Sequence, residues 1–383
     1  MISFREPGIT PRQLPARTYY PGLDGLRGIA ILLVIGYHIF DFIPIFTHGW
    51  LGVDLFFVLS GFLITDILVK TREDKGYLKN FYMKRVLRIF PAYYLILIIF
   101  IFLLPAIREV PYNFSYYIEH QASFWLYLAN WLFIFKHPEE PYFLNHLWSL
   151  AVEEQFYFIW PWLILLVKSG KKLLWVLSLL MLFVMLCRLG VWFIYNGELN
   201  DHSLYVFSRV DGLLVGAALA AYFQNHERIS HKIIRNIFIL VMMMNVVFLF
   251  INKLLQPKLP YLPMVGYITF SILFGLIVYK VITMKPGYIS VFLNLPLLRF
   301  LGKISYGLYI YHWPIYLLFY SAVKSYLQIY LPDSIAFVQI FASCIITLLT
   351  AAVSVASYLF IEMRFLKLKT HFNGTASTTG HLM

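Results

Sequence analysis

The 383-residue chain is 60% hydrophobic and only 13% charged, and its mean hydropathy is +0.72. A soluble globular domain carries about 25% charged residues, so this composition excludes that class and indicates an integral membrane protein. The net charge of +12 does not indicate nucleic acid as a partner, because the basic residues lie in short connections between apolar runs, where they meet membrane lipids.

Apolar runs of about 20 residues, the length at which a helix crosses a bilayer, recur along the chain. They predict an all-α protein, a polytopic membrane helical bundle of about ten transmembrane helices plus one interfacial or re-entrant helix. The ten predicted spans cover residues 24–45, 51–69, 87–107, 147–167, 173–195, 204–223, 233–251, 263–283, 303–323 and 337–361.

A further apolar run, residues 116–135, decides on which side of the membrane the later connections lie. If this run crossed the membrane, the basic connection that follows residue 167 would move to the outer side, against the positive-inside rule. We therefore predict an interfacial or re-entrant helix, with a complete crossing as the alternative. Both chain ends are then cytoplasmic.

The chain is expected to hold a single membrane domain, residues 21–369, between two cytoplasmic tails. Residues 1–20 are polar and rich in Pro, whereas residues 370–383 are rich in Ser, Thr and Gly. The second composition is typical of a disordered segment.

Arg27 and His38 lie in the otherwise apolar run from Gly25 to Phe40, within the first predicted span. Eleven helical steps come to about three turns, so both side chains lie on one face, about 16 Å apart along the axis. Ionisable groups inside a membrane usually indicate a functional site, and histidine is the usual general base or nucleophile near neutral pH. The alternative is a histidine bound to a neighbouring carbonyl and an arginine that reaches the lipid headgroups.

Asp54 lies about one turn inside the second predicted span. Antiparallel packing of the first two spans would bring its carboxylate to the level of His38, where it would fix the tautomer of the imidazole. The alternative is a carboxylate that binds free amides at a helix start.

Arg85 and Arg88 enter the third span from the predicted cytoplasmic side, three residues apart and therefore on one helical face. The planar guanidinium group donates paired hydrogen bonds, so two of them can hold a diphosphate or another anion. The alternative is a purely topological role beside lipid headgroups.

The fourth predicted span begins with Trp148, and Ser149, Glu153 and Tyr157 follow as one stripe. Glu153 is expected to face a cavity and to exchange a proton with an acceptor, whereas the adjacent Glu154 points elsewhere. The alternative is a solvated helix start.

Two later clusters of polar residues are weaker indications of a functional site. Arg209 and Asp211 lie in an apolar span and are expected to pair with each other in an architectural role. Ser305, Tyr306 and His312 lie in the first half of the ninth span, and their polar stripe is expected to line the cavity, with His312 supporting the catalytic group.

These strings together resemble the integral-membrane acyltransferase 3 family, the O-acetylase type of bacteria. The resemblance covers nearly the whole chain. It rests on Arg27 with His38, Gly52-Val-Asp54-Leu-Phe-Phe, Arg85-x-x-Arg88, Trp148-Ser-Leu through Glu153 to Tyr157, and Ser305-Tyr306 through His312-Trp313-Pro314.

The resemblance implies transfer of an acyl group, commonly acetyl from cytoplasmic acetyl-CoA, to a hydroxyl of a surface or lipid-linked saccharide. It implies an essential His38, Arg85 and Arg88 in coenzyme A binding, no metal, and a bacterial cytoplasmic (inner) membrane location. From its position at the inner end of the first span, Arg27 is expected to bind the same coenzyme A phosphates. Members often carry an additional extracytoplasmic domain. Without one, the membrane domain or a separate extracytoplasmic partner protein would handle the acceptor.

Two alternatives stay open at this stage. Buried His, Asp, Glu and Arg residues also serve proton-coupled membrane transporters, although no inverted repeat supports that class. Within the acyltransferase hypothesis, His38 either deprotonates the acceptor hydroxyl or carries the acyl group itself.

Overall fold

A computed structural model describes residues 20–107, 115–136, 143–194, 209–224, 228–254 and 259–372. This part of the chain is 87% helical and contains no strand. Its ten longest helices are α1 (Pro21–Ile39), α2 (Leu51–Thr71), α3 (Tyr77–Ile98), α4 (Leu147–Leu166), α5 (Gly170–Ile194), α6 (Asp211–Phe223), α7 (His231–Leu254), α8 (Tyr267–Thr283), α9 (Pro296–Tyr330) and α10 (Ile335–Ser357).

Short helical pieces extend or connect these helices. π-Helical turns adjoin α3, α8 and α10, and 3₁₀ turns precede α2 and end the described chain. The π turns are Ile99–Leu103, Leu262–Gly266 and Tyr358–Glu362, the 3₁₀ turns are Pro44–His48 and Leu368–Phe372, and further short helices are Leu104–Ile107, Tyr288–Leu293 and Met363–Lys367.

Seven helical stretches of the described chain are long and apolar enough to cross a membrane. Each of the ten predicted spans overlaps a helix in the described residues, but α4, α6 and α9 are not among the seven, so the predicted number of about ten is not confirmed. Helix α6 has only 13 residues, and α4 and α9 carry the polar side chains of the candidate site, which lower their hydropathy.

The run at residues 116–135 does not form one continuous helix. It is divided into Ser115–Glu119, Gln121–Trp125 and Ala129–Phe135, of 5, 5 and 7 residues. Tyr127, between the last two, has a positive φ of 55°, which interrupts a right-handed helix. None of the three pieces approaches the roughly 20 residues that a crossing requires.

The centre of the molecule is built by α1, α2 and α9, with α6 against α2 and α10 against α9. Glycines permit the closest approaches: a side chain at Gly28 of α1 would collide with the backbone of Leu298 in α9, and one at Gly216 of α6 with Val58 of α2. In contrast, only 17% of the apolar window of α5 and 11% of that of α7 is buried, as expected for helices that face lipid.

The boundaries of the domain and the tails remain predictions. Residues 1–19 and 373–383, which hold most of both tails, lie outside the described part of the chain.

Candidate functional site

A first cavity, here the arginine cavity, has a volume of about 80 Å³ and lies where α1, α2, α3, α4 and α9 meet. It brings together Arg27 of α1 with Arg85 and Arg88 of α3, which the sequence analysis assigned to one anion site. The cavity is also lined by Val53, Phe56, Phe57, Ser60, Ile89, Ser149, Leu150, Glu153, Glu154, Tyr157, Ser305, Tyr306 and Tyr309.

None of these three arginines makes a hydrogen bond or an ion pair with another described residue. The Arg85 guanidinium instead lies over two aromatic rings, 5.7 Å from the centroid of Phe81 and 5.2 Å from that of Tyr157. Partly buried guanidinium groups without a carboxylate partner suit an anion with several oxygens, such as a phosphate group.

Two carboxyl groups share the arginine cavity. The Glu153 carboxylate accepts hydrogen bonds from Ser60 of α2 and from Tyr157 one turn along α4. The expectation that only Glu153 faces a cavity is wrong, because Glu154 lines it as well. The cavity extends over two neighbouring faces of α4, since α2 and α3 both border it.

A second cavity, here the histidine cavity, is larger, with a volume of about 510 Å³. It contains His38 at the end of α1, and its wall is mainly aromatic and polar. The lining consists of Tyr37, His38, Asp41, Trp50, Val53, Asn145, His146, Trp148, Arg209, Leu262, Tyr267, Tyr309, Trp313 and Tyr316.

The hydrogen bonds around His38 define its tautomer. The Nδ1 atom of His312 lies 2.7 Å from the carbonyl oxygen of Tyr309, so it carries the proton, and Nε2 of a neutral ring is then an acceptor. That Nε2 lies 3.1 Å from Nδ1 of His38, which also faces the Val34 carbonyl at 3.1 Å. Nδ1 of His38 is therefore the donor, and its Nε2 keeps a lone pair for a base or a nucleophile.

A third imidazole, His146, completes this histidine cluster. Pro314 of α9 has no N–H, so the carbonyl of Ile310, four residues earlier, lacks its helical partner. His146 Nε2 donates to that carbonyl at 3.0 Å. The His146 ring lies 5.5 Å from His312, which is itself 4.9 Å from His38, all between centroids. No group of three or more His, Cys, Asp or Glu in the described residues is arranged as a metal site.

The predicted contact between Asp54 and His38 is wrong. Both carboxylate oxygens of Asp54 accept from Arg209 Nη1, at 2.7 and 2.6 Å, and His312 takes the expected place beside His38. Helix α6 packs so closely on α2 that Gly212 lies against the backbone of Asp54. This contact brings Arg209 to the carboxylate.

The predicted pairing of Arg209 with Asp211 is also wrong, because Asp211 binds Arg188 of α5. Arg209 lies over three aromatic rings that enclose the Asp54 ion pair. The distances to the ring centroids are 4.3 Å for Tyr267, 4.8 Å for Trp50 and 5.7 Å for Trp148. All four charged residues are buried, so each arginine needs its aspartate.

The remaining predicted residues divide between the two cavities. Ser149, Tyr157, Ser305 and Tyr306 line the arginine cavity together with Glu153, whereas Trp148 and Arg209 line the histidine cavity. Glu153, which was expected to exchange a proton with the acceptor, therefore lies with the arginines. His146 and Arg188 were not among the predicted residues. A signal for His146 existed in its position two residues before Trp148, and one for Arg188 in its place as a charged residue inside the predicted span 173–195.

Comparisons with known proteins find relatives that match most of the chain. A 33% identity over 375 residues relates it to a provisionally named O-acetyltransferase of Staphylococcus aureus (strain COL), covering 91% of this chain and 58% of that protein. The peptidoglycan O-acetyltransferase OatA of Listeria monocytogenes is 33% identical over 318 residues, 78% of this chain and 50% of the relative.

A provisionally named peptidoglycan O-acetyltransferase of Bacillus subtilis is 31% identical over 320 residues, 78% of this chain and 49% of the relative. The chain thus spans about half the length of these relatives. No solved structure matches. The family model described as an acyltransferase domain, acyltransferase 3, matches residues 20–359, and the chain belongs to that family of multi-pass membrane proteins.

Proposed function

We propose that this protein is a transmembrane O-acetyltransferase that moves an acetyl group from acetyl-CoA to a hydroxyl of a cell-envelope carbohydrate. The observation that carries the proposal is the pair of adjoining cavities with different chemistry. One presents three arginines without hydrogen-bonded partners, and the other presents His38 with a free Nε2. The names of two relatives favour peptidoglycan as the acceptor.

The donor binds on the arginine side, which we assign to the cytoplasm. The phosphate groups of acetyl-CoA accept hydrogen bonds from Arg85, Arg88 and Arg27, and the pantetheine arm extends toward His38. Ligand pockets usually have volumes of about 300–1,000 Å³. The arginine cavity, at about 80 Å³, therefore widens when the arm enters.

The acceptor binds in the histidine cavity, which opens to the other side of the membrane. Its volume of about 510 Å³ suits a saccharide unit. Trp50, Trp148 and Trp313 offer flat apolar faces to sugar rings, while His146 and Asn145 offer hydrogen-bonding atoms to hydroxyl groups. Either peptidoglycan or a lipid-linked precursor would present such units.

The chemistry is a transfer from sulfur to oxygen. In the direct route, His38 Nε2 takes the acceptor's hydroxyl proton while its oxygen attacks the thioester carbonyl. The C–S bond breaks, a C–O bond forms, and the proton passes to the departing thiolate to give coenzyme A. In the covalent route, Nε2 attacks the thioester first, the C–S bond breaks, and coenzyme A leaves as the thiol with the Nδ1 proton. The acceptor oxygen then takes the acetyl group from the acetyl-imidazole, the N–C bond breaks, and the hydroxyl proton returns to the ring.

The arginine cavity gives a direct test of this function. Arg85→Ala and Arg88→Ala should each raise the KM for acetyl-CoA about 10-fold or more, because a hydrogen bond to a charged group contributes about 1.5–3 kcal/mol. The matched control is Arg235→Ala, which removes one exposed positive charge from α7 and should leave KM unchanged.

Thermal stabilisation by coenzyme A provides the binding readout. The wild type and Arg235→Ala should be stabilised, and the double variant of Arg85 and Arg88 should not be. Coenzyme A stabilisation that survives in the double variant would contradict the donor site. Solute flux through liposomes without thioester turnover would contradict the enzyme and favour a transporter.

A further inference from the structure

Two residues belong to both cavities. Val53 of α2 and Tyr309 of α9 line the arginine cavity and the histidine cavity, and no other described residue lines both. Their exposed fractions are only 8% and 7%. We call this pair the septum, because it lies between the arginines and His38.

Tyr309 is fixed in the septum by its hydroxyl group and its ring. The hydroxyl donates to the His146 carbonyl at 3.1 Å and lies 2.5 Å from Ser149 Oγ. The Ser149 hydroxyl binds the same carbonyl, also at 3.1 Å. The ring packs edge-on against Phe56, with 6.4 Å between centroids. Tyr309 therefore leaves the septum only when these hydrogen bonds break.

Val53 is the smaller and stiffer member of the pair. Its β-branched side chain has one strongly preferred rotamer in a helix, so it does not move aside by rotation about χ1. When Tyr309 swings away, the width of the opening is therefore determined by the volume of the side chain at position 53.

We propose that the septum measures the width of the acyl group, so that acetyl passes between Val53 and Tyr309 and wider, branched acyl groups are retained on the arginine side. This inference rests on the proposed function, because it requires a thioester donor among the arginines and an acceptor at His38. It assigns acyl-chain specificity to two residues that neither bind coenzyme A phosphates nor exchange the reacting proton.

The test compares donors whose acyl groups differ in width, on the full chain in detergent. Release of coenzyme A thiol from acetyl-CoA and from isobutyryl-CoA is measured with a peptidoglycan disaccharide as acceptor. Val53→Ala should raise the isobutyryl-to-acetyl ratio of kcat/KM about 10-fold, since one methylene in an apolar site changes discrimination by about 10- to 200-fold. Val53→Ile should lower the ratio, and it keeps the test available if Val53→Ala does not fold.

Val58→Ala is the matched control, because Val58 lies on the same helix, is fully buried and lines neither cavity. It should keep the wild-type ratio. The proposal is overturned if the ratio is unchanged in the folded Val53 variants, or if Val58→Ala shifts it equally. Wild-type turnover of acetyl-CoA distinguishes failure of the septum proposal from failure of the proposed function. If the wild type turns over acetyl-CoA and the ratios do not change, only the septum proposal is overturned. If the wild type does not turn over acetyl-CoA, both are overturned.

Discussion

The arginine cavity and the histidine cavity differ in how their polar groups are satisfied. In the histidine cavity, His312 holds His38, Ile310 holds His146, and Asp54 holds Arg209. In the arginine cavity, the three guanidinium groups make no hydrogen bond or ion pair within the described chain. The histidine cavity is therefore organised before any ligand arrives, as the proposed catalysis requires, whereas in the proposed function the arginine cavity is completed by its ligand.

Among the changes that test this difference between the two cavities, His38→Gln is expected to have the largest effect. Removal of the proposed general base or nucleophile should lower kcat by about 10²- to 10⁴-fold. Coenzyme A should still stabilise the variant against heat, because the arginine cavity is intact. Thiol release and thermal denaturation measure the two properties, and His48→Gln, on an exposed turn outside both cavities, is the control.

The same variant distinguishes the two chemical routes. In the covalent route, radiolabelled acetyl-CoA without acceptor should label the wild type and not His38→Gln. An unlabelled wild type after rapid acid quench would favour direct transfer. Loss of coenzyme A binding in His38→Gln would instead contradict the separation of the cavities.

The next effect concerns stability. Asp54→Ala leaves Arg209 buried without its carboxylate, which should lower the free energy of unfolding by about 3–5 kcal/mol. Asp66→Ala removes only the partly exposed pair with Lys70 on the same helix and should cost at most about 1 kcal/mol. Unfolding by SDS in mixed micelles measures both. Equal losses would show that the buried pair is not a special stabilising element of the histidine cavity.

The smallest effect is expected from His312→Phe, which keeps a planar ring but removes the acceptor for His38 Nδ1. A typical hydrogen bond contributes about 0.5–1.5 kcal/mol, so kcat should fall up to about 10-fold. The KM for acetyl-CoA should stay constant, and His312→Gln, which restores an acceptor oxygen, should recover part of the rate. A change in KM with constant kcat would contradict a positioning role for His312.

Within a single helix, the sequence pattern was enough to predict which site residues lie on one face. Helical periodicity placed Arg27 and His38 on one face, and the structure places them in the two adjoining cavities. Spacing also grouped Ser149, Glu153 and Tyr157 on one stripe of α4, and all three line the arginine cavity. Such relations depend only on the geometry of a single helix, which the sequence determines.

The partners across helices could not be predicted in the same way. Asp54 and Arg209 are 155 residues apart, and His38 and His312 are 274 apart. Which helices touch depends on close approaches such as that of Gly216 to Val58, and a glycine in the sequence does not say which helix it meets. Chain proximity therefore suggested Arg209 with Asp211, while packing of α6 on α2 decided otherwise.

Pro314 has a consequence beyond its own helix. Its missing N–H leaves the Ile310 carbonyl to His146, so a covalent property of one residue specifies the orientation of an imidazole 168 positions earlier in the chain. A substitution that returns an N–H to position 314 would compete with His146 for the same oxygen. An engineered change at position 146 or at position 314 is therefore expected to be tolerated best when the other position changes with it.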